Sequence, residues 1–301
     1  MFLPKNRWIK LFCQQIFKKN SIRFTFTGYF YPKITQTSRK NGMSTKNYEW
    51  PIGEEIVYLR PPNEAYYGKL ERYYPSDAFP ELAPLKENWK GIRDEILRIE
   101  KRDGFITGMN SLSPAKIEGQ GSWSLVYLMS FRWMFHKNIQ KFPFTWSVVK
   151  QIPNCVFAGI SILPPHTEIK PHYGDTNSII RTHLALVVPE PYPIIGINVN
   201  GEERGWEEGE LLNFINVQQH HVWNKSDKRR YVLMFDFIPK PLVHRTNELC
   251  SNALGSQSFI FFYKRFALVR ALPVFTHGFI CGVFALIWRL YLPIQRQFKF
   301  L

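Results

Sequence analysis

Between Cys155 and Ile238 the chain is a succession of short apolar stretches closed by Pro, Gly, Asn or Asp, and this pattern constrains the fold more than any other feature. The stretches are Cys155–Leu163, Thr182–Val188, Ile194–Val199, Leu211–Ile215 and Tyr231–Ile238. Runs this short, rich in β-branched and aromatic residues, predict strands. No amphipathic helix lies between them, which argues for an antiparallel sandwich or barrel over a parallel α/β sheet. Upstream, Leu85, Trp89, Ile92, Ile96 and Ile99 recur at three- and four-residue intervals, with Lys86, Glu87, Arg93 and Asp94 on the other side. That spacing predicts one amphipathic helix over 84–101, packed outside a sheet. The expected fold class is an all-β core with flanking helices.

The charge lies outside this region. The 301 residues include 39 Lys and Arg against 24 Asp and Glu, a formal net charge of +15. No acidic residue precedes Glu49, whereas basic residues run from Lys5 to Lys46. None follows Glu248 either, and there Lys264, Arg265, Arg270, Arg289, Arg296 and Lys299 extend the basic character. The middle is close to neutral, so the basic groove with aromatic platforms that a nucleic-acid-binding domain needs is missing, and no nucleic-acid partner is expected. Cys13, Cys155, Cys250 and Cys281 form no CxxC or zinc-like spacing. Free thiols suit a reducing compartment, and the expectation is a domain on the cytoplasmic side.

Three segments follow. Residues 1–48 are a basic extension with the composition of a transit peptide or of a tail resting on anionic lipid, and Met43 is also a candidate start of the mature chain. Residues 49–248 hold the β-rich domain. Residues 249–301 form a basic hydrophobic tail in which Leu272–Trp288 is apolar apart from Thr276 and His277. This is near the ~20 residues that span a hydrocarbon core, so the tail is a candidate membrane anchor, the alternative being a helix packed on its own domain or on a second subunit. Phe259–Phe262, followed by Lys264 and Arg265, has the character of an interfacial segment.

Chemistry concentrates between Ser161 and Phe237. A single histidine is more often a hydrogen-bonded structural residue than a ligand. Here His172 follows an extended segment in a Pro/Gly-punctuated turn, and His220 lies 48 positions later beyond further strands, so two strands can bring them together. Two imidazoles suit iron(II), which non-haem oxygenases hold with two His and a carboxylate. The carboxylate commonly stands two residues after the first His, and that position is Gly174. Asp175 is a rival carboxylate, although strand alternation would turn it away from the metal. His221 rivals His220, since only one of two successive strand residues faces inward.

At this point the chain resembles the aspartyl/asparaginyl β-hydroxylases. It carries their PHxGxTN segment at Pro171–Asn177, RxHLxL at Arg181–Leu186, a WEEG turn at Trp206–Gly209, HxVW at His220–Trp223 and a final Arg at Arg230, in that order. The resemblance spans about residues 83–240 and leaves out both tails. It implies a double-stranded β-helix, or jelly roll, and an iron(II)- and 2-oxoglutarate-dependent dioxygenase that consumes molecular oxygen. It also implies His172 and His220 as the iron ligands, with Gly in place of the carboxylate. Arg230 would take the distal carboxylate of 2-oxoglutarate with help from Ser161, and Arg181 and His183 would contact co-substrate or substrate. A guanidinium suits this role because it pairs a carboxylate bidentately and stays charged when buried. The carboxylates of Glu207 and Glu208 are expected to be structural. The implied substrate is an Asp or Asn side chain of a protein; the alternatives are a lipid acyl chain, as in lipid A hydroxylases, or a catalytically silent membrane-bound module. Departure from the family's acidic pair at Ile215 and Asn216 bears on the substrate.

Overall fold

In a computed structural model of the chain, the described residues are 51, 54–59, 65–103, 117–119 and 123–298. The expectations for residues 1–48, including a start at Met43, lie outside them. Twelve strands among the described residues form two antiparallel sheets. The seven-stranded sheet runs β1 (Tyr73–Tyr74), β10 (Leu211–Phe214), β7 (Ile180–Val187), β12 (Arg230–Phe237), β5 (Cys155–Leu163), β3 (Ser124–Ser130), β4 (Trp133–Met134). The five-stranded sheet runs β2 (Ile117–Gly119), β6 (Thr167–His172), β11 (His220–Asn224), β8 (Ile195–Val199), β9 (Glu202–Arg204). From β5 to β12 every connection except the β8–β9 hairpin passes from one sheet to the other, which is the winding of a jelly roll.

Period-two alternation sorts the side chains of the central strands. Ala158, Ile160 and Ile162 of β5, Leu184 and Leu186 of β7, and Leu233 and Phe235 of β12 face outward into one core cluster. Phe157 and Leu163, Ala185, and Val232 and Met234 face the barrel interior with Ile197, Val199 and Val222 of the smaller sheet. Both faces are buried, which is why these strands read as continuous apolar runs rather than alternating ones.

The outer face is covered by α1 (Ala83–Glu87), α2 (Trp89–Asp103), α3 (His136–Lys141) and α4 (Pro143–Val149). Leu85, Ile92, Ile96 and Ile99 are buried there, as their spacing requires. The single helix expected over 84–101 is two, parted at Asn88, whose φ of −106° and ψ of 9° leave the helical region and whose side-chain Nδ2 donates to the Pro84 carbonyl at 2.9 Å. Glu95 of α2 reaches the start of α4, where its carboxylate accepts from Phe144 N (2.8 Å), Thr145 N (2.7 Å) and Thr145 Oγ1 (2.7 Å).

The chain ends in α5 (Thr246–Arg265), α6 (Ala267–Arg270) and α7 (Val274–Phe298). The boundary expected at 248 falls within α5, whose first turns bury Leu249, Cys250, Ala253 and Leu254 against the β core. α7 returns along α5 at Gly255, where a Cβ would stand 2.7 Å from the Cys281 carbonyl oxygen and 2.8 Å from Ala285 N. Trp288 Nε1 donates to Ser258 Oγ at 2.8 Å, and Gln295 Nε2 donates to the Met134 carbonyl at 2.7 Å. Val274–Gln295 is long and apolar enough to cross a membrane, by length and composition alone.

Glu95 satisfies the first N–H groups of α4 with a buried charge, so Glu95→Ala is expected to lower unfolding free energy by about 2–3 kcal/mol. Urea denaturation checks this; a loss below a few tenths of a kcal/mol would show that the helix start does not need the carboxylate.

Candidate active site

β6 and β11 are neighbours, and their register pairs His172 directly with His220. The register shifts between His220 and Val222, placing an irregularity beside Pro171, which has no N–H to offer the ladder. The two imidazole centroids are 4.2 Å apart. His172 Nδ1 lies 2.8 Å from the Lys170 carbonyl, and His220 Nδ1 lies 2.9 Å from the Gln218 carbonyl. A carbonyl only accepts, so each Nδ1 carries the proton and each Nε2 keeps its lone pair. Burial lowers the His172 pKa to about 4 and that of His220 well below its ordinary value, with His172 adding to the effect on His220. The pair is therefore neutral at pH 7 and able to bind a metal. His221 turns outward, half-buried, with its ring 5.3 Å from that of Trp223.

Gly174 does more than lack a carboxylate. A Cβ there would lie 2.6 Å from Asn216 Cγ and Nδ2 and 2.7 Å from the Asn216 carbonyl oxygen, which accepts Gly174 N at 2.7 Å. No side chain fits without displacing the loop after β10. Among the described residues no group of three or more His, Cys, Asp and Glu is placed to hold a metal ion, so the pair stands without a carboxylate. Asp175 corrects an expectation. β6 ends at His172, so strand alternation no longer governs Asp175, and it lines the same cavity as the histidines. Its Oδ2 accepts from Gln257 Nε2 of α5 at 3.1 Å.

That cavity is walled by Trp123, Leu125, Tyr127, Phe157, Tyr173 and Met234, with Arg181 among them. Arg181, His183 and Arg230 all lie on the inner face, as period-two alternation requires: Arg181 is opposite Asp236, and His183 opposite Met234. Arg181 forms a fork to Asp236, with Nε and Nη2 each 2.7 Å from a carboxylate oxygen. Burial works against its charge and Asp236 more than offsets this, so the guanidinium stays ionised. His183 is buried and neutral, its pKa held far down by burial and then by Arg230, with neither ring nitrogen bonded.

Arg230 is 1% exposed, and neither its Nε nor its Nη1 has a hydrogen-bond partner. Burial alone lowers its pKa to about 9, which leaves it charged at pH 7. Its guanidinium lies 4.9 Å from the centre of the Trp206 ring, on which His183 also stacks at 5.9 Å. Ser161 stands on β5 opposite Val232, on the same inner face. It accepts a 2.9 Å hydrogen bond from Trp123 Nε1, so its own hydroxyl hydrogen remains to be donated. Asn216 adds a buried carboxamide with neither Nδ2 nor Oδ1 bonded. Arg229 faces solvent and meets Glu100.

Several residues here escaped the sequence. Glu207 and Glu208 are exposed, and Glu208 Oε1 accepts from Val188 N, so the WEEG turn is structural at its carboxylates. Trp206 of the same turn is instead a wall of the site. Asp236 and Gln257 were also unforeseen; of the two only Asp236 carried a signal, as the lone acid in an apolar strand.

Fold and site together define the class: a jelly-roll barrel with a neutral pair of histidines on its smaller sheet and a buried arginine without a hydrogen-bond partner at Nε or Nη1 on its larger one. The chain belongs to the aspartyl/asparaginyl beta-hydroxylase family, whose description matches residues 86–240. It is 33% identical over 180 residues to an ornithine lipid ester-linked acyl 2-hydroxylase of Rhizobium tropici, covering 58% of this chain and 64% of that protein. It is 30% identical over 158 residues to the Homo sapiens aspartyl/asparaginyl beta-hydroxylase, covering 50% and 20%. It is 34% identical over 125 residues to the Homo sapiens aspartate beta-hydroxylase domain-containing protein 2, covering 38% and 33%. The chain thus spans less than two thirds of each of these relatives.

Since the Gly174 cradle has no room for a Cβ, Gly174→Ala is expected to cost about 1–3 kcal/mol. Gly174→Asp should lose stability without gaining affinity for Mn(II) in calorimetric titration. An Asp variant as stable as the parent and tighter for the metal would show that the cradle is open.

Proposed function

We propose that the chain is an iron(II)- and 2-oxoglutarate-dependent dioxygenase that hydroxylates an unactivated C–H bond, and Arg230 is the observation that carries the reading. A buried, unpaired charge costs several kcal/mol after relaxation. A ligand carboxylate removes that cost, and a planar guanidinium pairs one bidentately. The donor set fits iron(II): His172 and His220 would hold it through Nε2, both lone pairs being free. Bound there, iron(II) and 2-oxoglutarate would supply oxygen activation coupled to oxidative decarboxylation to succinate.

The chain supplies placement and charge. Arg230 grips the distal carboxylate, and Ser161 donates its free hydroxyl hydrogen to it. Neutral His183 donates a further hydrogen bond without adding charge. Gly174 leaves the third protein position to water, beside the unbonded carboxamide of Asn216. Arg181, locked by Asp236, keeps a fixed positive charge on the cavity wall without a mobile side chain. The aromatic wall sheds bulk water from the reacting centre.

For the substrate, the acyl chain of a membrane lipid is favoured by the side chains of Trp123, Leu125, Phe157 and Met234 along the cavity and by the lipid hydroxylase among the relatives. A peptidyl Asp or Asn is the second reading, favoured by the Arg181 charge and the human relative. That Cys155, Cys250 and Cys281 stand as thiols rather than disulfides favours a cytoplasmic-side domain.

Full-length protein with iron(II) should convert 2-oxoglutarate to succinate slowly even without substrate. The His172→Ala/His220→Ala variant should be inactive, and Arg230→Ala should raise the KM for 2-oxoglutarate roughly a hundredfold. Undiminished turnover in the double variant would refute the iron assignment. A parent chain that binds neither iron nor 2-oxoglutarate would make it a silent binding module. Mass spectrometry of lipids and peptides from cells with and without the protein separates the two substrates.

A further inference from the structure

The α5–α7 hairpin carries an apolar surface that the barrel does not use. On α7, Phe275, Phe279, Val283, Leu286, Leu290 and Ile294 recur at three- and four-residue intervals and are all exposed, Phe275 at 85% and Phe279 at 76%. Phe261 and Phe262 of α5, Phe266, and Leu268 of α6 continue this surface around the tip, with Leu268 at 78%. The opposite stripe of α7, His277, Cys281, Ala285, Leu292 and Gln295, is buried. Lys264, Arg265 and Arg270 are exposed at the tip among these aromatics. No acidic residue occurs from Leu249 to Leu301.

We infer that this hairpin is a monotopic membrane-docking element, seated in the surface of an anionic bilayer, and that α7 does not cross it. From Trp288 onward α7 is tied to the barrel: Trp288 packs 5.0 Å from Trp133, and Gln295 bonds both the N–H and the carbonyl of Met134. Only Val274–Ile287 is free to enter lipid, about 21 Å of helix at 1.5 Å per residue. A hydrocarbon core is ~30 Å thick. One face of the free part is also occupied by α5, where Phe259 lies 4.7 Å from His277. An apolar face rimmed by cations is the pattern of a helix lying in the interface. A second copy is a poor occupant, because a two-fold contact would bring Lys264, Arg265 and Arg270 against their mates with no acid in the tail to offset them.

The hairpin also touches the cavity. Gln257 of α5 lines it and bonds Asp175, and Phe261 and Phe262 follow within about 8 Å along the same helix axis. The cavity rim therefore sits beside the docked surface, and substrate reaches it from the bilayer. The docking surface stands independently of the chemistry at the cavity; only this route of delivery rests on the oxygenase reading.

The test is flotation of the full chain with vesicles of phosphatidylcholine, alone or mixed with phosphatidylglycerol. Binding should be strongest on the mixed vesicles and weaken with salt. Phe275→Ser/Phe279→Ser should lower it by roughly tenfold or more with an unchanged melting temperature. Lys264→Glu/Arg265→Glu should remove the preference for phosphatidylglycerol. An epitope after Leu301 should stay open to protease outside sealed vesicles. Undiminished binding of the Phe variant, a protected epitope, or a dimer that these substitutions dissociate while vesicles bind nothing would each overturn the inference. Succinate formation without vesicles should survive in the Phe variant; a chain that floats but never turns over counts against the oxygenase reading alone.

Discussion

The cross-strand pairing of His172 with His220 is the contact around which the site is organised. Antiparallel neighbours place paired Cα atoms about 5 Å apart, so two imidazoles on one face meet without any long side chain having to reach. The i−2 carbonyls of Lys170 and Gln218 then fix both tautomers with backbone atoms, which do not depend on side-chain choice. Burial holds both rings neutral. A pair built this way offers two Nε2 lone pairs from a fixed scaffold, which is what the proposed iron site needs.

The interior beyond the pair follows a different logic, since it gathers positive charge where an apolar core would be more stable. Arg181 is held in place by its fork to Asp236 and so belongs to the resting structure. Arg230 is not neutralised, and its stacking over Trp206 replaces only part of the lost hydration. His183 and Asn216 add buried polar groups without partners. Unpaired groups of this kind are rare in native interiors and mark places where something else completes the structure. Arg230 and His183 share the inner face of the larger sheet, while the histidine pair stands on the smaller one.

Much of this was legible in the chain because alternation and turn residues are local signals. The five apolar stretches became β5, β7, β8, β10 and β12, β5 unchanged and the others shifted by one or two residues at one or both ends. Arg181 and His183 could be placed on one face of their strand by counting in twos. What stayed hidden depends on contacts between distant segments. Asn88 broke a helix whose apolar spacing runs through it unbroken. Asp175 left the strand pattern because β6 stops three residues earlier, and its partner Gln257 lies 82 positions away. The steric role of Gly174 depends on the Asn216 loop, and the one-sided packing of α7 on Gly255 and Met134 has no periodic signature.

Anomalous X-ray diffraction from crystals of the chain grown with Mn(II) and 2-oxoglutarate under nitrogen tests the central claim most directly. The account predicts a single metal peak bound by Nε2 of both His172 and His220 and by no other protein side chain, with the ligand's distal carboxylate on Arg230. A metal held by His221 or Asp175, or a carboxylate paired elsewhere while Arg230 stays unbonded, would contradict it.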